Sequence, residues 1–340
     1  MQTVNVGIIG LRRLGGSFGL ALRRYNQSKD ARQHFAVTGY DPDEQNAAAA
    51  RTMGACDTVA RSLSAAVRDR NIIVIALPLH EIEAAYQLMS GELTPGCVVL
   101  DTAVFKQPPA GWASKHLGKE AHQVGITPVV NARYLFDGLD DIDHAAEDYF
   151  DKGVILVSPG STADPDAVQL ATDFAQLIGA SVRFTDPAEH DSWTSVMELL
   201  PAALGVAAFD AIRRLDHWDD VRRVGNPAFG QLTHHLLESH PDALRDALFQ
   251  DRANLVRHID QVIESLAMLR DLLSEGDRDA VEALLVQTRD AFAEWLGRRR
   301  TGEWDPTHKM ERDGAASSLM TGLFGSAITK RLKRGGDDDT

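Results

Sequence analysis

Short apolar runs alternate with segments of helical spacing throughout the first half of the chain. The first run, at residues 4–9, leads through a glycine-rich turn into a predicted helix at about 17–25. Several later runs are β-branched and apolar on both faces, which is typical of strands buried in a parallel sheet. They predict further strands at 36–40, 72–77, 97–100, 124–126, 154–157 and 181–184. The alternation therefore predicts an α/β domain built on a parallel sheet.

The pattern changes after about residue 187, where long segments of helical spacing replace the strand-like runs and continue to about residue 300. We therefore expect an α/β domain at 1–187, an all-helical domain at 188–300 and a C-terminal tail at 301–340 that is frayed or docks on a subunit. The nearly uncharged stretch at 199–209 is shorter than the roughly 20 residues that cross a bilayer, so we expect a buried helix and no membrane contact. The helical pattern at 244–273 is typical of a long helix packed against a partner, which favours a homodimer.

Composition narrows the possible classes of protein. The chain has 340 residues, of which 44% are hydrophobic and 25% charged, as in folded soluble proteins. Its formal charge of -14 argues against a general nucleic-acid-binding surface, so an anionic ligand must meet locally placed positive groups. Cys56 and Cys97 lie among apolar or small residues and are predicted to be buried thiols. No signal peptide is indicated at the N-terminus, and a cytoplasmic location is expected.

A glycine-rich turn follows the first strand, with the sequence GLRRLGGS at 10–17. A G-x-G-x-x-G turn between a strand and a helix places a pyrophosphate against the helix N-terminus. Here Gly10 and Gly15 occupy the first and third glycine positions, but Arg12 occupies the second, where the backbone ordinarily approaches the pyrophosphate. Its guanidinium could bind phosphate oxygens, or its side chain could fill the groove.

An acidic residue, Asp41, ends the second strand. An acid at this position accepts hydrogen bonds from the adenosine ribose and repels a 2′-phosphate, which favours NAD over NADP. The predicted cofactor-binding residues are Gly10, Arg12, Arg13, Leu14, Gly15, Asp41 and Pro78.

A series of short motifs spans residues 4–300. They are GGS at 15–17, GYD at 39–41, Leu77-Pro78, DTAVFK at 101–106, GITP at 125–128, the segment 179–191, and Leu200-Pro201. In order and spacing they resemble the prephenate/arogenate dehydrogenase family. The resemblance implies an α/β Rossmann-type dinucleotide-binding domain followed by an all-α dimerisation domain. It also implies NAD(P)-linked oxidative decarboxylation in tyrosine biosynthesis, with the substrate bound beside the nicotinamide.

Several positions that carry chemistry in this family are replaced. The family's Asp-x-Gly-Ser-x-Lys becomes DTAVFK, which keeps Lys106 but places Val104 at the serine. The histidine of the family's His-Pro becomes Thr127, whose hydroxyl is a poor proton acceptor because it has no pKa near neutrality. The family's Ser-His-Leu-Pro-His becomes ELLPA at 198–202, with Leu199 and Ala202 at the two histidine positions. The resemblance implies substrate contacts at Thr127, His234 and Arg252.

These replacements predict very low turnover of prephenate. Three classes of function stay open: an NAD-linked prephenate or arogenate dehydrogenase, a non-catalytic ligand-binding or regulatory dimer, and a dehydrogenase or reductase with another substrate. No metal site is predicted at His234, His235 and His240, because adjacent helical histidines point about 100° apart.

Overall fold

The computed structural model of the protein describes residues 2–118 and 121–304. Most of the predicted C-terminal tail lies outside the described residues. The chain divides into two compact units, the first running to Asp191 and the second beginning at Ser192.

A single sheet organises the first unit. Its strands among the described residues are β1 (Gln2–Ile9), β2 (Gln33–Tyr40), β3 (Thr58–Val59), β4 (Ile72–Ile75), β5 (Cys97–Asp101), β6 (Ala121–Val129), β7 (Val154–Ser158) and β8 (Ser181–Phe184). Their order is β3-β2-β1-β4-β5-β6-β7-β8. Each predicted strand is present, and the added β3 is a two-residue strand. The sheet is not wholly parallel as predicted, because β7 runs antiparallel to β6.

Helices cover both faces of this sheet. They are α1 (Arg13–Asn26), α2 (Glu44–Met53), α3 (Leu63–Val67), α4 (Leu79–Met89), α5 (Gln107–His116), α6 (Pro165–Leu177) and α7 (Pro187–Thr194). Successive residues of a strand point to opposite faces. Accordingly Ile72 and Val74 join the apolar cluster on one face, while Ile73 and Ile75 join the cluster on the other. This burial on both faces confirms the prediction made from the apolar runs.

The cysteines lie inside this unit as predicted. Cys56 is 4% exposed and Cys97 is 1% exposed. Burial raises the pKa of the Cys56 thiol to about 11, so this side chain is a neutral thiol at neutral pH.

The second unit is helical throughout its described residues, as predicted. Its helices are α8 (Leu200–Ile212), α9 (Trp218–Val221), α10 (Pro227–Thr233), α11 (His235–Glu238), α12 (Pro241–Gln250), α13 (Arg252–Glu275) and α14 (Arg278–Thr301). The predicted long helix at 244–273 is thus interrupted once, at Asp251. Gly205 lets α8 and α10 approach closely, because a Cβ there would lie 2.5 Å from the carbonyl oxygen of Leu232.

The start of α8 departs from regular helix. A π-helical turn, Ser195–Leu199, precedes it. Pro201 provides the reason, since proline lacks the N–H that bonds to the carbonyl four residues earlier, and its ring crowds that carbonyl.

The prediction of a buried helix at 199–209 is wrong for the single chain. Within α8 only Ala202 and Gly205 are buried. The continuous helical stretch Pro187–Ile212 is long and apolar enough to cross a membrane, a test that core helices of soluble proteins also pass. Most of the residues of α8 are therefore only partly buried within one chain.

Candidate active site

Functional side chains of the first unit gather where the parallel strands end. The order β3-β2-β1-β4-β5-β6 reverses direction between β1 and β4, and ligands of such sheets bind outside the carboxyl ends of the strands at that point. The glycine turn follows β1, and Pro78 stands exposed at the start of α4 after β4. Thr127 lies two residues beyond Gly125, which pairs with the last residue of β5.

The glycine turn has a shape that larger residues would break. Gly10 has a φ of +89°, and a Cβ there would collide with the carbonyl of Ala76. A Cβ on Gly15 would overlap the carbonyl oxygen of Gly10. Both glycines are therefore required by the strand-to-helix turn itself.

The predicted ribose-binding acid lies against this turn. Asp41 is 8% exposed, and its Oδ2 accepts a 2.6 Å hydrogen bond from the backbone N–H of Leu11. Its Oδ1 accepts a hydrogen bond from the backbone N–H of Asp43. These bonds hold the carboxylate at the end of β2, where a dinucleotide's ribose would need an acceptor.

The two adjacent arginines of the turn have different surroundings. The side chain of Arg12 is 39% exposed, and its guanidinium lies 3.2 Å from the carboxylate of Asp140. Arg13 is 3% exposed, and its guanidinium stacks over the rings of Tyr134 and Tyr149. It also donates to the carbonyl oxygens of residues 137 and 139 and to a carboxylate oxygen of residue 137. Arg13 thus fastens a loop to the turn, whereas Arg12 is accessible from solvent.

That loop, an acidic segment at 137–143, covers the first turn of α1. The backbone N–H of Arg13 donates to the carbonyl oxygen of Asp140 at 3.3 Å. Gly16 permits the approach, because a Cβ there would lie 3.1 Å from the Cβ of Ala145. Burial raises the pKa of the Asp140 carboxyl despite the opposing effect of Arg12. This segment is not among the predicted site residues, although its aspartates after β6 and the arginine pair at 12–13 are complementary in charge.

A threonine, a histidine and an aspartate form a connected group at the end of β6. The Oγ1 of Thr127 lies 2.8 Å from Nε2 of His190. Nδ1 of the same ring lies 3.1 Å from Oδ1 of Asp191. His190 is 1% exposed and Asp191 is 5% exposed, whereas Thr127 is only partly buried. Burial lowers the pKa of His190, which favours the neutral imidazole at neutral pH.

Asp191 is in turn fixed by the start of α5. Its carboxylate accepts hydrogen bonds from the backbone N–H groups of Lys106, at 2.6 Å, and Gln107, at 3.0 Å. The Nζ of Lys106 is buried beneath and donates to the carbonyl oxygens of Asp101, Ala103 and Ile126. Burial lowers the pKa of Lys106 to about 8. The retained lysine therefore has its donors directed at backbone oxygens.

The remaining predicted positions carry little polar chemistry. Val104 is partly buried in the loop after β5, and Leu14, in the first turn of α1, packs against the core. In the second unit Leu199 and Ala202 are each 4% exposed. These side chains supply neither proton acceptors nor charged groups.

Two of the predicted substrate residues lie in the second unit, where His234 is partly buried and Arg252 is exposed. Nδ1 of His234 lies 2.7 Å from the carbonyl oxygen of Gln231, and its ring centroid lies 3.8 Å from that of His235. Arg252 is an exposed residue at the start of α13. Beside it, the carboxylate of Asp251 accepts a hydrogen bond from the hydroxyl of Ser195.

Comparisons with known families match both units. The nucleotide-binding domain of prephenate dehydrogenase matches residues 18–184. The dimerisation domain of prephenate dehydrogenase matches residues 186–287.

Individual relatives are distant in sequence but cover most of the chain. Prephenate dehydrogenase of Bacillus subtilis is 24% identical over 306 residues, which are 87% of this chain and 76% of the relative. Cyclohexadienyl dehydrogenase of Zymomonas mobilis is 20% identical over 282 residues, or 81% of this chain and 90% of the relative.

Solved structures share the fold. Prephenate dehydrogenase from Aquifex aeolicus, in complex with hydroxyphenyl propionate and NAD+, has a TM-score of 0.69 at 21% identity, covering 86% of this chain and 98% of that one. Arogenate dehydrogenase of Synechocystis has a TM-score of 0.61 at 19% identity, covering 86% of this chain and 100% of that one.

Proposed function

Because the chain belongs to the prephenate dehydrogenase family, we propose that it is an NAD-dependent dehydrogenase of hydroxyl-bearing carboxylic acids of the prephenate and arogenate type. The observation that carries this proposal is the position of Asp41 and Thr127. Asp41 directly follows β2 and Thr127 lies near the end of β6, at the edge of the sheet where dinucleotides and their substrates bind. A homodimer in the cytoplasm goes with this proposal, since the second unit matches a dimerisation domain.

The turn after β1 fits a dinucleotide, provided that Arg12 exchanges its ion pair with Asp140 for one with a phosphate. Asp41 holds a fixed carboxylate for the ribose hydroxyls and favours NAD over NADP. Arg12 stands where a glycine would let the backbone approach the pyrophosphate closely. Its partly exposed guanidinium can bind phosphate oxygens instead, once it leaves Asp140. NAD, when bound, supplies a hydride acceptor for the carbon that bears the substrate hydroxyl.

The apolar replacements at the family's catalytic positions set the expected rate. Val104 cannot form the hydrogen bond that a serine makes, and Leu199 and Ala202 cannot form those of the family's histidines. Each lost stabilising donor lowers turnover by about 10²- to 10³-fold. We therefore expect prephenate and arogenate to be oxidised slowly, and an acid with fewer polar substituents to be the better substrate.

A second candidate is a non-catalytic ligand-binding dimer. It is favoured by one observation, that the carbonyl oxygen of Asp140 already accepts a hydrogen bond from the N–H of Arg13 at the start of α1. In this alternative the acidic segment keeps the pyrophosphate position permanently covered.

Two measurements decide between these functions. Thermal unfolding with NAD and NADP at millimolar concentration reports binding, because a ligand of the folded state raises the unfolding temperature. The absence of any shift with either nucleotide would rule out the dehydrogenase. If NAD stabilises the protein, NADH absorbance with prephenate and with arogenate then tests turnover directly.

A further inference from the structure

A dehydrogenase of this type needs a group that takes the proton from the substrate hydroxyl as the hydride leaves. Thr127 occupies the position of the family's histidine. A threonine hydroxyl alone is a poor proton acceptor, because it has no pKa near neutrality. The structure places an imidazole directly behind it, since Nε2 of His190 lies 2.8 Å from Oγ1 of Thr127.

The direction of this hydrogen bond follows from the third member of the group. A carboxylate only accepts hydrogen bonds, so Asp191 requires Nδ1 of His190 to carry a hydrogen. The buried ring is neutral at neutral pH, which leaves a lone pair on Nε2. Thr127 therefore donates its hydroxyl hydrogen to Nε2, and its oxygen keeps lone pairs for another donor.

The position of the group at the sheet edge suits such a donor. Thr127 is partly exposed, whereas His190 is 1% exposed and cannot itself meet a substrate. Asp191 is held by the backbone N–H groups of Lys106 and Gln107, so the ring orientation is fixed before a ligand arrives.

We propose that Thr127 and His190 together replace the family's histidine as the proton acceptor. As the hydride leaves the substrate carbinol carbon for NAD, the substrate O–H bond breaks, its electron pair forms the C=O double bond, and its proton forms a new O–H bond at Thr127 Oγ1. The proton previously on Thr127 passes to Nε2 of His190 in the same step. Asp191 stabilises the resulting imidazolium through its bond to Nδ1. In this scheme Thr127 is the catalytic residue and His190 is the positioning residue that acts through it.

This inference rests on the proposed function, but its first test does not require turnover. Nitrogen NMR of labelled histidine imidazoles in the full chain reports which ring nitrogen carries hydrogen. We expect His190 to be the neutral Nδ1–H tautomer at neutral pH and to titrate below its ordinary pKa of 6.5. Its charged neighbours are Asp191, which opposes this lowering, and the Lys106 ammonium, which adds to it. An Nε2–H tautomer would overturn the proposal, because that ring would donate to Thr127 and could take no proton from it.

Variants of the two partners sharpen the same measurement. Thr127→Val removes the donor that stabilises the neutral ring, so the pKa of His190 should rise, while Thr127→Ser should leave it as in the wild type. Thr172→Val serves as the matched control, since it deletes a threonine hydroxyl that only bonds to the carbonyl of Val168 in α6. An unchanged His190 pKa in Thr127→Val would contradict the hydrogen bond on which the relay depends.

Steady-state kinetics with prephenate or arogenate and NAD provide the second test. Thr127→Val and His190→Asn should each lower kcat by about 10²- to 10⁴-fold. Their combination should be no worse than either alone, because the two residues act as one unit. His116→Gln is the matched control, as it removes a histidine paired with Glu83 at the far end of α5. Additive losses in the double variant would refute the relay.

Failure of the relay can be distinguished from failure of the proposed function. If neither substrate is oxidised but the Nδ1–H tautomer and the Thr127→Val shift are found, the proposed function is wrong, while the hydrogen bond from Thr127 to His190 is confirmed.

Discussion

The carboxylate of Asp140 lies 3.2 Å from the guanidinium of Arg12, at the helix terminus where the fold would place a pyrophosphate. The same residue's carbonyl oxygen accepts a hydrogen bond from the N–H of Arg13. We therefore expect a bound dinucleotide to compete with the acidic segment at 137–143 for the same positive groups.

Asp140→Asn should tighten NAD binding. The change removes the negative charge beside Arg12 and leaves the guanidinium available for phosphate oxygens. Both side chains are only partly buried, so we expect an increase in affinity of up to about fivefold. Calorimetric titration at low and at high ionic strength measures it, and the gain should shrink at high salt. Equal affinity at low salt would mean that Asp140 does not compete with the cofactor.

Arg12→Ala should weaken NAD binding by tenfold or more, since a hydrogen bond to a charged group contributes about 1.5–3 kcal/mol. Arg12→Gly should also weaken it, whereas tighter binding in that variant would show that the side chain fills the groove. In the double variant with Asp140→Asn, the benefit of the second change should vanish, because its partner is gone. Isothermal titration calorimetry of wild type, Arg12→Ala, Asp140→Asn and the double variant completes this double-mutant cycle.

Asp41→Asn should weaken NAD binding and reduce discrimination against NADP. An amide can accept through only one oxygen, so one of the N–H groups of Leu11 and Asp43 loses its acceptor. We expect a stability loss of about 1–3 kcal/mol as well, measured by urea unfolding. Asp43→Asn is the control, because Asp43 caps α2 and asparagine caps equally well. A variant that keeps the wild-type ratio of NAD to NADP affinity would remove Asp41 from the ribose site.

The sequence predicts the strands of this fold well because their residues are constrained on both faces. Every residue of β4 is buried, and its apolar run is unambiguous. By contrast β3 has two residues, and it exists because Thr58 pairs with Thr38 in β2 rather than through any local preference. Local patterns cannot reveal a strand that its neighbour creates.

In the candidate site, too, some features follow from the local sequence and others depend on tertiary packing. Asp41 is predictable because its position directly after a strand fixes where it lies. The contact between Thr127 and His190 joins residues 63 positions apart, and it depends on how α7 packs beside β6. A substitution from histidine to threonine therefore looks like a loss in the sequence, although the fold brings another imidazole to the same hydroxyl.

Burial of Lys106 should make stability depend on alkaline pH. The folded pKa of about 8 lies below the ordinary value of 10.5, so between these values the unfolded chain binds a proton that the folded chain has released. The free energy of unfolding contributed by this group should then rise with pH above about 8, because the unfolded state binds more protons. Urea unfolding of wild type and Lys106→Met on either side of that pH measures the difference in slope. Lys115→Met controls for the loss of a surface lysine. Parallel slopes in wild type and Lys106→Met would show that the buried amine does not change its charge.

We expect a second subunit to pack on the exposed apolar side chains of α13. Val256, Ile263 and Leu266 are 55%, 57% and 58% exposed in the single chain. Residues seven apart lie on one face of a helix, as do residues three apart, so these side chains form one stripe. A stripe of this kind on a domain that matches a dimerisation family is expected to be covered in a homodimer.

Ile263→Glu should therefore dissociate the dimer, because association would bury an unpaired carboxylate. We expect the wild type to sediment as a dimer in analytical ultracentrifugation, and the variant's dimer dissociation constant to rise at least about tenfold. Gln261→Glu adds the same charge two positions away, about 200° around the helix, and should leave the dimer intact. A monomeric wild type would exclude the homodimer, and equal dissociation by both variants would show that added charge, rather than this face, is what matters.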